Sequence, residues 1–255
     1  MSHEFLEVQV TDEVARITLN RPPLNVLHIP MMRELSSVLD ELAQDTAIKV
    51  AVITGKGRAF CAGVDVADHT ADRVEEMLHV FHAVIRQVIE WPAPVIAAVN
   101  GAALGGGWEL AMACDIVLAA EGAKIGQPEI KLAVFPPVAA ALMPRLVGRQ
   151  RAMELVLTGR TLTAEEGYRM GLVNHVYPAD TFAEQLEAFV QQLTALSAPV
   201  VRLTKRVVLQ GLDQPFDRAL EEAERTYLQD LMQLEDPHEG LAAFMEKRQP
   251  VWKNK

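Results

Sequence analysis

Two glutamates stand where a carboxylate is expensive. Glu109 sits in LGGGWELAM (104–112), where three glycines run into an apolar stretch, and Glu129 sits in IGQPEI (125–130), again among apolar neighbours. Glycine costs a helix roughly 1 kcal/mol per residue against alanine, and an unpaired charge in an apolar setting costs more. Facing one cavity, two poorly hydrated glutamates have their pKa values pushed apart, so that one acts as acid while the other acts as base. The commoner role for a glutamate placed like Glu109 is to complement the dipole of a first helical turn. Sequence spacing alone does not bring Glu109 and Glu129 together.

The glycines offer a second kind of chemistry. Two segments, AFCAGVD (59–65) and NGAALGGG (100–107), follow apolar runs and carry glycine where a strand passes into a helix. Glycine at a helix N-terminus exposes backbone N–H groups and lets a ligand approach the main chain, and the helix dipole adds positive charge there. Two such donors would form an oxyanion hole, each worth roughly 3 kcal/mol to a developing negative oxygen. The alternative is that the glycines let a helix pack closely on a sheet, and from pattern alone both readings stand. Nucleotide loops are excluded: Trp108-Glu109 follows the triplet where a Walker loop needs Lys and Ser/Thr, and Ala111 and Cys114 do not supply the last glycine of a dinucleotide fingerprint.

The elements that must position these residues read as an α/β pattern. Residues 5–19 alternate around a turn at Thr11-Asp12-Glu13, and 49–55, 94–99 and 116–120 are short apolar runs of buried-strand character. Helical periodicity covers 30–44 and 71–90 between them. Strand–helix–strand spacing of this kind predicts a mainly parallel sheet, whose ligands bind beyond the carboxyl ends of the strands. From about 137 helices dominate, with segments at 181–196, 198–210, 215–234 and 237–248. The expected organisation is an α/β core over 1–190 and a helical region over 191–255.

Composition narrows the partners. The chain has 255 residues, 24 Lys and Arg against 34 Asp and Glu, and a net charge of −10 without a block of like charges. Nucleic-acid binding draws on clustered cations, so no nucleic-acid partner is expected. Two cysteines, Cys61 and Cys114, in no metal-ligand spacing argue against a structural metal site and suit a reducing cytoplasm. No signal-peptide pattern opens the chain, and no apolar run approaches the ~20 residues of a membrane span.

The segments ARITLNRPPLNVL (15–27), KVAVITGKGRAFCAGVDV (49–66), PVIAAVNGAALGGGWELAMACDIVLAAEGAKIGQPEIKL (94–132) and MELVLTGRTLTAEEGYRMGLVNHV (153–176) resemble the crotonase, or enoyl-CoA hydratase/isomerase, superfamily over nearly the whole chain. The closing EGLAAFMEKRQPVW (239–252) is similar to that family's last helix. The resemblance implies a spiral of ββα units with a C-terminal helical region that forms trimers, often paired into hexamers. It also implies an acyl-CoA thioester substrate and a hydratase that needs no cofactor beyond the coenzyme A of its substrate. By position, Val64 and Gly106 match the oxyanion-hole N–H donors, and Glu109 and Glu129 match the carboxylates that hold and activate water. Pro23, Leu24, Asn25 and Val26, with Ala62, Asp65 and Val66, match coenzyme A-binding loops, and Trp108 and Phe135 fall near the acyl pocket. Where many hydratases carry a glycine-rich run after the second glutamate, this chain has AVFPPVAAA (133–141). With RPPLNVLHIPMMREL (21–35), the stretch FPPVAAALMPRLVGR (135–149) resembles the alicyclic dienoyl-CoA hydratases, which add water to cyclohexa-1,5-diene-1-carbonyl-CoA. A general enoyl-CoA hydratase is the alternative, followed by a double-bond isomerase or decarboxylase and then a non-catalytic acyl-CoA binder.

Other residues take plainer readings. His79 and His82 are expected on a surface or interface, and Asp65 is expected to order its own loop through backbone hydrogen bonds. Cys61 has no activating base nearby in sequence. Trp108 either walls the acyl pocket or packs in the core, and Phe244 and Lys247 are surface residues of the last helix or reach coenzyme A.

Overall fold

The computed structural model describes residues 3–255. The chain opens with a hairpin of β1 (Leu6–Thr11) and β2 (Val14–Leu19). Its two-residue turn holds Asp12 and Glu13 at φ 52° and 64°, the doubly left-handed form whose twist matches the flanking strands. Helix α1 (Ile29–Ala43) leads to β3 (Val50–Gly55), β4 (Ala59–Cys61) and α2 (Val74–Glu90). The next units are β5 (Val95–Val99), β6 (Ala102–Leu104), α3 (Gly106–Ala113), then β7 (Ile116–Ala120), β8 (Lys124–Gly126), α4 (Pro137–Val147) and α5 (Arg149–Thr158). β9 (Thr161–Thr163), α6 (Ala164–Met170) and β10 (His175–Tyr177) complete the sheets. Helices α7 (Phe182–Thr194), α8 (Ala198–Gly211), α9 (Phe216–Gln229) and α10 (Glu235–Glu246) follow.

Three successive turns of chain repeat one plan: a long strand, a three-residue strand, a helix. The long strands enter a six-stranded sheet of order β1-β2-β3-β5-β7-β10, parallel from β2 onward, and the short ones a second sheet of order β4-β6-β8-β9. This is the expected spiral of ββα units.

Strand alternation divides the large sheet's burial between two clusters. Ile17, Ile53, Ala97 and Ala119 face α1, α2, α3 and the small sheet, whereas Val14, Val52, Ile96 and Leu118 face α7 through Phe182 and Val190. Burial on both faces explains why β3 and β5 read as unbroken apolar runs. Helix α7 spans residue 190 and belongs to this packing. The stretch 215–234, read as one helix, is broken: α9 ends at Gln229, Asp230 turns out at φ −106°, and a 3₁₀ turn covers Leu231–Gln233.

Helix α3 lies against β4 so closely that Gly107 has no room for a side chain. A Cβ there would stand 2.2 Å from the Cys61 carbonyl oxygen and 2.7 Å from its carbonyl carbon. Those are backbone atoms, so no rotamer change relieves the clash. Gly107→Ala is expected to lower unfolding stability by about 3 kcal/mol or more, read as the midpoint shift in urea unfolding; a loss under about 1 kcal/mol would contradict this packing.

Candidate active site

The short sheet brings two loops and a glutamate to one place. Leu104 pairs with Gly126, and the Gly105 N–H donates to the Gly126 carbonyl at 2.9 Å, so the start of α3 is tied to the exit of β8. Gly105 sits at φ 52°, ψ −132°, a region open essentially only to glycine. A Cβ on it would lie 2.8 Å from Glu129 Oε1 and 3.7 Å from the Gly63 Cα. The bare glycine is therefore the floor on which the Glu129 carboxyl rests.

The second loop is pinned from the other side. Leu27 bridges Val64 in parallel, with the Leu27 N–H donating to Gly63 O at 2.9 Å and the Asp65 N–H to Leu27 O at 2.7 Å. Backbone groups alternate along an extended segment, so the bridge leaves the Val64 N–H on the opposite edge. That edge faces Gly106: a Cβ there would stand 3.4 Å from Val64 N. Val64 and Gly106 are thus brought together, with the first turn of α3 behind them supplying its orphan N–H groups and dipole.

Glu109 follows one turn into α3, its side chain only 3% exposed. Its Oε1 accepts from the Ala139 N–H at 2.8 Å. Ala139 lies in the first turn of α4, whose N-cap is Pro136 and whose first residue is Pro137, so α4 has no capping side chain of its own. The Glu109 carboxylate fills that role from a neighbouring helix. Burial pushes the Glu109 carboxyl up to about 7, the Ala139 N–H pulls it back, and the Glu129 charge raises it further. Glu129, less buried, is also raised, first by burial; its own backbone N–H and the charge of His69 oppose the rise.

Two partners of the glutamates went unread in the sequence. With its amide nitrogen turned toward Glu129, Gln127 donates to both carboxyl oxygens at 3.0 Å each. Its 1% exposure makes it a fixed partner; a polar side chain leaving a buried strand two residues before a glutamate was the available signal. The Ala139 N–H has no side-chain signature, although the double proline marks a helix start without a cap.

The other expected contacts scatter. Pro23 is exposed and Leu24, Val26, Ala62 and Asp65 are half-buried around the paired 24–27 and 62–65 segments, with Val66 exposed beside them. Asn25 instead turns inward: it is fully buried at φ 53°, and its amide donates to the carbonyls of Lys56, Ala59 and Phe60. Its side chain shapes the loop and has no surface to offer a ligand. Asp65 accepts from the Ala67 N–H and pairs with Arg21 at 3.0 Å. Trp108 packs in the core at 1% exposure, while Phe135 stands 67% exposed ahead of α4. Cys61 is a buried thiol pushed up to about 12 by burial. His79 is exposed and His82 half-buried on α2; Phe244 is exposed and Lys247 closes α10. An apolar cavity of about 860 Å³ lies between α8–α10 and the far end of α3, and none of the residues above lines it.

Residues 9–255 match the family model described as enoyl-CoA hydratase/isomerase. The chain is 40% identical over 257 residues to the probable enoyl-CoA hydratase of Mycobacterium tuberculosis, covering 98% of each. It is 35% identical over 240 residues to the cyclohexa-1,5-dienecarbonyl-CoA hydratase of Thauera aromatica, covering 94% of this chain and 93% of that one. The crystal structure of enoyl-CoA hydratase from Bacillus anthracis superposes with a TM-score of 0.94 at 34% identity, covering 99% and 100% of the two chains.

The buried glutamate carries a stability signature. A carboxyl whose folded pKa is raised stabilises the fold below its unfolded value, 4.5, and that contribution is lost as pH rises through the folded value, about 7. Glu109→Gln keeps an acceptor for Ala139 and cannot ionise. It is expected to be more stable than the wild type at pH 8, on the order of 2 kcal/mol, with the gain fading toward pH 5 in paired thermal melts. A variant less stable than wild type at pH 8 would show that the carboxylate is not under this stress.

Proposed function

The chain belongs to the enoyl-CoA hydratase/isomerase family, and we propose that it adds water across the conjugated double bond of an acyl-CoA through Glu109 and Glu129, with cyclohexa-1,5-diene-1-carbonyl-CoA as its substrate. It is a hydro-lyase of the enoyl-CoA hydratase type. The observation that carries the catalytic reading is the pair of carboxyls, both raised by burial, with Gly105 against the Glu129 carboxyl and Val64 packed against Gly106.

In that reading the thioester oxygen lies between the N–H groups of Val64 and Gly106. Conjugation makes the β-carbon electrophilic, and the donors stabilise the enolate-like charge that grows as water attacks. The water oxygen bonds to the β-carbon, and the α-carbon takes a proton. Glu109 and Glu129 exchange both protons, one taking a proton from water and the other delivering one to carbon, with burial raising both carboxyls. The Gln127 amide and the α4 N-terminus orient the two carboxyls. Every group in this scheme belongs to the chain itself or to the substrate, so the reading calls on no further cofactor.

The ring substrate is supported by the AVFPPVAAA stretch and by the 35% identity to the Thauera aromatica protein. The stretch exposes Val134 and Phe135, apolar surface shortly after Glu129 that would suit a compact ring. A straight-chain enoyl-CoA is the second reading, favoured by the 40% identity to a probable enoyl-CoA hydratase. The C-terminal helices leave Leu212, Phe216, Leu228 and Phe244 exposed, in keeping with the trimeric or hexameric assembly that the resemblance implies. Two free cysteines suit a cytoplasmic setting; no helix among the described residues is long and apolar enough to cross a membrane.

Glu109→Gln and Glu129→Gln are each expected to lower kcat by about 10²–10⁴-fold with an unchanged circular-dichroism spectrum. Near-normal turnover in either variant would remove that glutamate from the chemistry. Incubation with crotonyl-CoA and cyclohexa-1,5-diene-1-carbonyl-CoA side by side, followed by product mass, is expected to show faster hydration of the diene. Rapid turnover of crotonyl-CoA with none of the diene would overturn the ring assignment and leave the hydratase reading standing.

A further inference from the structure

The segment that carries Val64 is held by less than a ladder. Leu27 and Val64 form an isolated bridge, closed by the Leu27 N–H on Gly63 O and the Asp65 N–H on Leu27 O. Just ahead of it, the Ala62 N–H donates to Leu24 O at 3.0 Å. Beyond Asp65 the chain turns away into the 3₁₀ turn Val66–His69. So short a pairing does not hold its register alone.

Arg21 supplies a further tie. Its Nη1 donates to the Val26 carbonyl at 2.8 Å and its Nη2 to Asp65 Oδ2 at 3.0 Å. Val26 precedes Leu27 and Asp65 follows Val64, so one guanidinium spans the bridge from one segment to the other. That span suits arginine, whose donors are fixed in one plane. Both ends of the clip are themselves anchored. The Arg21 N–H donates to Oδ1 of buried Asn25 at 3.1 Å, and the second Asp65 oxygen accepts from the Ala67 N–H at 3.2 Å. Asp68, the next acid along, is taken by the Ile29 N–H at 2.9 Å and by Arg73 at 2.8 Å. Arg21 and Asp65 are both half-buried, where an ion pair adds little to global stability. What the pair controls is position.

That position is tight. A Cβ on Gly106 would stand 2.5 Å from Val64 Cγ2 and 3.4 Å from Val64 N, so the Val64 side chain rests on the bare glycine. A segment released at Asp65 has room to lift away from α3 and none to move closer. We propose that Arg21 is a positioning residue of the hydration reaction: by clipping Val26 to Asp65 it holds the Val64 N–H against Gly106, where the thioester oxygen needs it. The Asp65 carboxylate then serves the site through Arg21 and does not contact the coenzyme A nucleotide.

The inference rests on the hydratase reading, and the experiment separates the two. kcat and KM are measured for wild type, Arg21→Met, Arg21→Lys, Asp65→Asn and the Arg21→Met/Asp65→Asn double variant. Each is assayed on whichever of the two CoA thioesters turns over and on the matching pantetheine thioester, which lacks the nucleotide. Removing an oxyanion donor outright costs roughly 10²–10³-fold in kcat, and a displaced donor loses part of that. Arg21→Met is therefore expected to lose about tenfold in kcat on both thioesters, with KM within about threefold. Arg21→Lys, whose ammonium still reaches Asp65, is expected to fall between it and wild type. Asp65→Asn is expected to shift kcat in the same direction, and the double variant to be no worse than Arg21→Met, as for two ends of one contact. Should Arg21→Met fail to fold, Asp65→Asn on the two thioesters decides the matter. Wild-type kcat in either single variant would overturn the role of Arg21 while leaving the hydratase reading intact. So would a loss seen with the CoA thioester and absent with the pantetheine thioester, which would mark a nucleotide contact. A wild type that hydrates neither CoA thioester would remove both.

Discussion

Two carboxyl groups held together away from water lose hydration and repel each other, and much of what surrounds Glu109 and Glu129 answers that cost. Glu109 receives an N–H from Ala139 at the start of a helix with no cap of its own. Glu129 receives the Gln127 amide on both oxygens. Neither glutamate is neutralised by a Lys or Arg in an ion pair among the described residues; donors without full charge soften the burial without cancelling it. The result is a Glu109 carboxyl near 7, able to hold or release a proton under ordinary conditions. An arginine beside the pair would have held both groups ionised and removed that property.

The covalent neighbours of the site are far apart in sequence, and strands of only three residues make them adjacent. β4, β6 and β8 each hold few ladder hydrogen bonds, yet their parallel register sets Gly63, Gly105 and Gly126 side by side. Such strands are too short to be stable alone. They persist because each continues from a long strand buried in the large sheet and because α3, with all eight residues buried, is pressed onto them. The site thus draws its rigidity from the core beneath it, and the glycines mark the points where backbone must pass within contact distance of backbone or carboxyl.

This division explains what the sequence disclosed. β3, β5 and β7, with α1 and α2, are long and strongly patterned, so their existence and the parallel sheet were legible from apolar runs and helical spacing. The ββα spiral was legible only through the resemblance, because AFC, AAL, KIG and TLT have too few residues to show a period. Among site residues, the glycine loops and the two glutamates stood out because each violated a local rule, glycine in a helix start or charge in an apolar run. Gln127 violates none. Asn25 came only with its loop, through the resemblance; its amide in fact satisfies three inward carbonyls.

The AVFPPVAAA stretch joins two functions that are usually argued separately. Ala133, at φ 59°, ends the turn that carries Glu129, and Ala139, six residues later, donates its N–H to Glu109. Between them lie Val134 and Phe135, both exposed. One stretch therefore joins the surroundings of both carboxyls, so a change that shifts its backbone also moves the groups that set proton affinity. The double proline limits that coupling. Pro136 and Pro137 have fixed φ and offer no N–H, which starts α4 at a defined residue and aims the Ala139 N–H at Glu109 whatever side chain occupies Phe135. In a loop so constructed, the side chains at 134 and 135 can change without moving that N–H, whereas 136 and 137 fix where the helix starts.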